Sequence, residues 1–339
     1  MLFTRILMPL LFAFGLVANI SAVAIMRRQW SKIKKHIVTH TLISLAVSDI
    51  IYLAVLGIMS TEQFLGRIIS PYLCKPKFFL DVLSQHVSAW LIVMMSHERY
   101  QAMNSPYTYN STFQNKNAFI LAFVWLVGCV ISAPIAIFTD AKEGTYPDLR
   151  ADPDSPRNIT VLHCGSSWDP TWKSVYFTSL AVVECLVPVA VMVFFYIGVF
   201  KNFVRQIRNP RSALCHINQN RLSLVLGLIV LSFIVSYGPF YMIQMVNEFH
   251  FLKNHQLSVI YMTVVFQILT YVNSCLNPIL YSGFTKKFML IRDLSDSTAQ
   301  GNNPATVPDG DGDRCLEDKA PYVPSTSFEL SNKMVSTGA

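Results

Sequence analysis

Residues 118–139 read AFILAFVWLVGCVISAPIAIFT, a run of 22 positions without a Lys, Arg, Asp or Glu. An α-helix rises about 1.5 Å per residue, so a run of this length crosses the roughly 30 Å hydrocarbon core of a bilayer. Residues 6–26, 222–247 and 254–285 are equally free of those four residue types. In residues 37–61, 78–97 and 174–200 a single carboxylate interrupts the run: Asp49, Asp81 and Glu184 respectively. The pattern predicts an all-α bundle of seven transmembrane helices.

Composition agrees. Of 339 residues, 52% are hydrophobic and only 14% charged, where a soluble domain carries about a quarter charged residues. Mean hydropathy is +0.40. The first run is too long for the apolar core of a signal peptide and lacks a small-x-small cleavage site, so it reads as a span.

Basic residues give the orientation. Arg27, Arg28, Lys32, Lys34 and Lys35 follow the first span, and Lys201, Arg205, Arg208, Arg211 and Arg221 surround the fifth-to-sixth connection. Lys286, Lys287 and Arg292 follow the last span. The positive-inside rule then puts the N terminus outside and the C terminus in the cytoplasm of a multi-pass plasma-membrane protein. The net charge of +7 is this loop bias, and it forms no nucleic-acid-binding stripe. Under that topology the sequon at Asn158 is open to glycosylation and the one at Asn110 is not. Cys74 and Cys164 fall on the oxidising side. Cys129, Cys185 and Cys275 sit inside apolar runs and read as small packing residues.

Beyond the last span the character changes. Residues 284–291 place Phe284, Phe288 and Ile291 on one helical face, the pattern of a short amphipathic helix on the membrane surface. The chain divides into a seven-helix domain, 1–292, and a polar, disordered cytoplasmic tail, 293–339. Asp309, Asp311 and Asp313 suggest a calcium loop, but Arg314 holds its glycine position and Ala320 its glutamate position, which excludes it.

Acids in hydrocarbon cost about 2.5–3.5 kcal/mol each on insertion scales, so each calls for a function. Asp49 lies mid-span with Asn19, Ser88, Asn273, Ser274 and Asn277 at comparable depth. These residues leave two readings open: a site for a small hard cation such as Na⁺, or a hydrogen-bonded cluster that glues helices. Asp81 lies about two turns below Cys74, with Gln85 one turn deeper and Tyr271 expected across the bundle as a hydrogen-bond partner. A cationic ligand group suits this acid, and the alternative is a structural pair with Lys77, four residues earlier. Glu184 either faces the same cavity or bonds a neighbouring helix. At the inner end of the third span, Glu98 is expected to pair with Arg99, beside Tyr100. Tyr196 and Tyr281 are expected as hydroxyl partners of Arg99 in a second state. Pro239 and Pro278, near Phe233 and Asn277, read as hinges, since a proline removes one backbone donor and loosens the helix.

With these residues in place, the chain resembles the rhodopsin-like (class A) G-protein-coupled receptors over nearly all of residues 3–291. The resemblance rests on Asn19, on Leu45-Ala46-Val47-Ser48-Asp49, and on Cys74 with Glu98-Arg99-Tyr100. Trp125, Pro188 with Tyr196, and Asn277-Pro278-Ile279-Leu280-Tyr281 extend it. Within the class the chain looks most like the somatostatin, melanin-concentrating-hormone and opioid peptide receptors, through Asp81 with Gln85 and through residues 240–247 and 271–278.

The likeness implies an extracellular basic peptide whose Lys or Arg reaches Asp81, and coupling to a heterotrimeric G protein of the inhibitory type. It implies a pocket of Asp81, Gln85, Glu184, Phe240, Tyr241, Gln244, Gln267 and Tyr271. It further implies a Cys74–Cys164 bridge and a sodium site at Asp49, Ser88, Asn273, Ser274 and Asn277. Arrestin and receptor kinases would act at tail positions such as Ser295, Ser297, Thr298, Ser325, Thr326 and Ser327. One departure stands out: where the family carries a Cys-Trp-x-Pro switch, this chain reads Ser236-Tyr237-Gly238-Pro239. A small-amine receptor, gripping a diamine such as histamine between Asp81 and Glu184, is the competing reading. A light sensor is excluded because residues 254–285 hold no lysine for a retinal Schiff base. A transporter would show inverted repeats, which are not found. No nucleophile triad, metal cluster or phosphate loop points to an enzyme, and no cofactor other than the Na⁺ is expected.

Overall fold

The computed structural model describes residues 2–28, 37–65, 68–104, 114–147, 158–207, 217–249, 258–259 and 261–280. Tyr281, the amphipathic helix expected at 284–291, the tail and Lys32, Lys34, Lys35, Arg208 and Arg211 lie outside them. So do Lys286, Lys287 and Arg292.

Among the described residues, seven helices are long and apolar enough to cross a membrane. They are α1 (Leu2–Arg28), α2 (Ile37–Leu65), α3 (Cys74–Asn104), α4 (Gln114–Ile137), α5, α6 (Ile217–Glu248) and α7 (Tyr261–Leu280). α5 is composite, with α-helix over Pro170–Ala181 and Val187–Ile207 joined by a π-turn at Val182–Leu186. Helices dominate because lipid offers no hydrogen bonds, so each backbone N–H and C=O is satisfied within its own segment. Phe119, Leu126, Val130 and Phe194 point outward, each more than half exposed, as a lipid-facing surface allows.

The core runs down α3, the most buried of the seven spans, while α1 is the least buried. Leu45, Val87, Leu91, Ile92, Met192, Leu226, Ile229 and Phe233 form its centre. Polar cross-links supplement this packing, because lipid tails are as apolar as leucine and give helices little reason to associate. Trp125 Nε1 donates to Ser44 Oγ at 2.9 Å, joining α4 to α2.

The polar segment between α4 and α5 folds as an antiparallel hairpin, β1 (Thr139–Pro147) with β2 (Asn158–Ser166). Cys164, opposite Ala141, is disulfide-bonded to Cys74, the first residue of α3. Lys75 bridges Asp140 at 3.0 Å beside it. Phe138, Trp168 and Tyr176 stack in series, with ring centres 4.4 and 5.0 Å apart, and seat the hairpin against α5. Asp169 then caps α5 by accepting from Thr171 N, with Pro170 at the first helical position, a natural start. Asn158 opens β2, and its side chain lies outside the described residues.

Candidate functional site

The polar side chains singled out in the sequence fall into three layers along the bundle. Nearest the hairpin, Asp81 is half-buried, and its Oδ1 is buried with no hydrogen-bond partner. Lys77 does not pair with it. Its ammonium lies 2.5 Å from Glu62 Oε2, tying α3 to the end of α2. Nor does Tyr271 reach Asp81, as expected from the sequence. Its hydroxyl accepts from Gln267 Nε2 at 3.1 Å and points to Met59 Sδ at 3.8 Å. The ring stacks on Tyr52, whose hydroxyl pairs with Thr270. Tyr271 therefore serves the α2–α7 contact, because its position on α7 turns it toward α2.

Glu184 sits inside the π-turn of α5 and is almost wholly buried. Pro188 has no N–H to offer the Glu184 carbonyl, and Val187 N–H reaches back five residues to Val182 O. The Tyr241 hydroxyl on α6 donates to Glu184 Oε2, with Gln85 Oε1 on α3 a second acceptor at 3.3 Å. The bond to a neighbouring helix expected as one arrangement of Glu184 is thus formed, while Glu184 Oε1 has no hydrogen-bond partner. His86 Nδ1 lies 3.9 Å from Glu184 Oε1. Phe240 packs edge-on against Tyr241, and Gln244 lies half-buried one turn further along α6.

In the middle layer Asn277 Nδ2 donates to Asp49 Oδ2 at 2.9 Å, and Asn19 Nδ2 donates to the Ser274 carbonyl at 3.1 Å. Ser88 bonds Ser48 at 3.0 Å, and Ser48 also donates to the Ser84 carbonyl at 2.9 Å. Four buried side-chain oxygens in this layer have no hydrogen-bond partner: Asn19 Oδ1, Asp49 Oδ1, Asn273 Oδ1 and Asn277 Oδ1. One carboxylate oxygen with amide oxygens is a donor set that fits a hard cation completed by water. Phe233, Tyr237 and Tyr241 form a stack up α6, with successive ring centres 4.5 and 6.4 Å apart. Tyr237, in place of the expected tryptophan, is fully buried in it.

At the far end the expected Glu98–Arg99 pair is not formed. Glu98 Oε1 accepts from Thr41 Oγ1 at 3.3 Å and Asn117 Nδ2 at 3.2 Å, so α2 and α4 hold it. Glu98 Oε2, Arg99 Nε and the Tyr196 hydroxyl are buried without partners. Successive residues on a helix point about 100° apart, which turns Glu98 and Arg99 toward different neighbours. The Tyr100 ring packs against Gly198 of α5 and leaves no room there for a Cβ. Ser223 on α6 donates to Met103 Sδ on α3 at 3.4 Å, joining the two helices at this end.

Sequence reading missed Thr41, Asn117, Ser48 and His86 as site residues. The signal for Asn117 was its place among the first polar residues ahead of an apolar run; for Thr41 and Ser48 it was their spacing near Asp49.

Residues 18–281 match the family described as 7 transmembrane receptor (rhodopsin family). The chain is 24% identical over 295 residues to somatostatin receptor type 5 of Rattus norvegicus, covering 84% of this chain and 76% of that one. It is 23% identical over 290 residues to the type-2 angiotensin II receptor of Meriones unguiculatus, with the same coverage. Galanin receptor type 1 of Homo sapiens is 22% identical over 289 residues, covering 84% of this chain and 79% of that one.

Proposed function

Because the chain belongs to the rhodopsin family of seven-transmembrane receptors, we propose that it binds a basic peptide outside the cell and passes that event to an inhibitory heterotrimeric G protein inside. One observation carries the ligand reading: Asp81 Oδ1 is buried without a partner, while Lys77, the nearest candidate base in sequence, is taken by Glu62. An acid with no ion pair among the described residues, near an end of the bundle, is prepared for a cation that arrives. The relatives named for somatostatin, angiotensin II and galanin support a peptide over an amine. A diamine held between Asp81 and Glu184 would find only Glu184 Oε1 open to it, since Tyr241 holds Oε2.

The hairpin end faces outward in the plasma membrane, with the N terminus outside, the C terminus inside and Asn158 accessible to glycosylation. The basic residues Arg27, Arg28, Lys201 and Arg205 at the other end support this by the positive-inside rule. Asp81, Gln85, Phe240, Gln244 and Gln267 line the approach for the peptide, with Glu184, Tyr241 and Tyr271 behind them. Asp49, Asn273 and Asn277, with Asn19, would hold a Na⁺ ion, which supplies a charge that favours one packing of α2 against α7; Ser88 and Ser274 complete the layer. Arg99, free of Glu98, is the group offered to the G protein, with Tyr100, Tyr196, Phe233, Tyr237, Pro239, Pro278 and Tyr281 forming the path to it. Residues 1–292 act as the receptor domain, and the tail 293–339 is the substrate of receptor kinases and the docking segment for arrestin.

A ligand shifts the two states only by the difference in its affinity for them. The test is a screen of cells expressing the chain against somatostatin-like and other basic peptides, read as suppression of cyclic AMP. The account expects at least one basic peptide to suppress it through wild type and to lose potency with Asp81→Asn. Equal potency on both would remove Asp81 from the pocket, and an amine acting where peptides fail would replace the peptide reading.

A further inference from the structure

Tryptophan in membrane proteins is enriched at the boundary with water, where the ring meets lipid and the N–H finds an acceptor. Trp90 stands instead in the middle of α3, which runs from Cys74 to Asn104, and its Nε1 is buried with no hydrogen-bond partner among the described residues. No phospholipid headgroup reaches that depth to accept from it. Trp90 lines a cavity of about 560 Å³ between α3, α4 and α5, with His86 and Glu98 of α3, Phe123 and Val127 of α4 and Phe195 of α5 among its walls. Phe123 is 56% exposed, so the cavity borders the lipid-facing surface. Its lining is almost wholly apolar and includes no Lys or Arg among the described residues. Glu98 stands at its far end. Thr41 and Asn117 both hold Glu98 Oε1, and Oε2 is the oxygen left without a partner.

We infer that this cavity is a second ligand site, entered from the lipid, for an uncharged, rigid and elongated molecule of the hydroxysteroid type. Size, charge and spacing select that class. A volume of about 560 Å³ lies in the range that holds a small organic ligand in a mostly apolar wall with a few polar groups. With no lysine or arginine in the lining, nothing there neutralises a fatty acid or a phosphate headgroup. Trp90 and Glu98 are eight residues apart, about 12 Å along the helix. The occupant therefore carries a hydroxyl at one end, which donates to Glu98 Oε2, and an oxygen at the other, which accepts from Trp90 Nε1, with a rigid apolar body between them. A fused-ring steroid with an oxygen at each end has that shape. A sterol with a single oxygen satisfies only one of the two atoms. Bound there, the molecule braces Glu98, through which α3 holds α2 and α4, and it leaves Asp81 open. The site does not depend on the peptide reading.

The experiment uses the full chain in phosphatidylcholine nanodiscs and tritiated dehydroepiandrosterone, which has a hydroxyl at one end and a ketone at the other. Saturable binding is expected, with a matching rise in the thermal unfolding temperature. On wild type, the analogue with the hydroxyl but no ketone and the analogue with two ketones and no hydroxyl should each compete about tenfold more weakly, since each leaves one buried polar atom unpaired. This comparison needs no variant to fold. Trp90→Phe should weaken the hydroxyketone about tenfold and leave the ketone-free analogue unchanged. Val127→Trp should fill the cavity and abolish binding of all three. No saturable binding, or binding that both Trp90→Phe and Val127→Trp leave unchanged, would overturn the site. Equal affinity for the three steroids, or tighter binding of oleate, cholesterol or dodecylamine, would overturn the uncharged, two-ended occupant.

Discussion

Asp81 and Glu98 sit on one helix, 17 residues or about 25 Å apart along α3, and the bundle treats them differently. Glu98 has its donors supplied from within, by Thr41 of α2 and Asn117 of α4. Asp81 has the one nearby lysine withheld from it, since Lys77 is engaged by Glu62, and its Oδ1 is left bare. The cost of burying a polar oxygen without a partner is about 1–3 kcal/mol; Glu98 Oε2 carries it as well, so what sets the two acids apart is the pair of donors on Glu98 Oε1. An acid that serves the fold finds its partners in the fold. We propose that Asp81 meets its charged partner in a ligand.

The widest separation between the two is expected on neutralising Asp81. Asp81→Asn should cost about 3 kcal/mol of peptide affinity, roughly a hundredfold in potency, because it removes one member of a desolvated charge pair. Its thermal stability in detergent should stay within about 1 kcal/mol of wild type. A large stability loss with potency intact would reverse the comparison. Glu98→Ala should do the opposite, losing about 2 kcal/mol of stability because the Thr41 hydroxyl and Asn117 amide both lose their acceptor. Glu98→Gln, which retains an oxygen for them, should lose less than half as much; equal losses would mean that charge, not the bond, holds this end. Thermal unfolding followed with a thiol-reactive dye at Cys185 and Cys275, both buried, measures these losses.

Asp49, like Glu98, has one oxygen bonded, to Asn277, and the other without a partner, but its layer also holds the unpartnered amide oxygens of Asn19, Asn273 and Asn277. Asp49→Asn should therefore abolish any effect of NaCl, relative to choline chloride, on peptide affinity, while costing stability less than Glu98→Ala. Sodium sensitivity that survives the change would place the ion elsewhere. The smallest effect is expected for Asn117→Ala, about 1 kcal/mol of stability with unchanged peptide affinity. A loss of affinity there would show that the two ends of α3 are coupled through the anchor itself.

The seven spans were legible because lipid imposes a long apolar run on every crossing, and no packing detail changes that demand. The Cys74–Cys164 bond was legible as open to the two cysteines placed on the oxidising side and was implied by the resemblance, and the structure forms it. The hairpin was missed because its strands alternate weakly and carry Lys142, Glu143 and Gly144 where a soluble strand would show β-branched residues. Partner choice was the least legible. Lys77 and Asp81 are four residues apart, a spacing that favours a pair, and Glu98 adjoins Arg99, yet neither pair forms. Which neighbour a side chain meets depends on the rotation of each helix about its axis. That rotation is set by contacts such as Trp125 with Ser44 and Tyr271 with Tyr52, between residues 81 and 219 positions apart in the chain.

The claim that a ligand cation completes Asp81 is tested most directly by a double-mutant cycle between receptor and peptide. Potency is measured for a stimulating basic peptide and for its analogue with the key Lys or Arg made neutral, each on wild type and on Asp81→Asn. The account predicts that either change alone costs about a hundredfold and that the second adds almost nothing to the first. Losses that multiply in the double combination would show that the cation and Asp81 do not meet, and would contradict it.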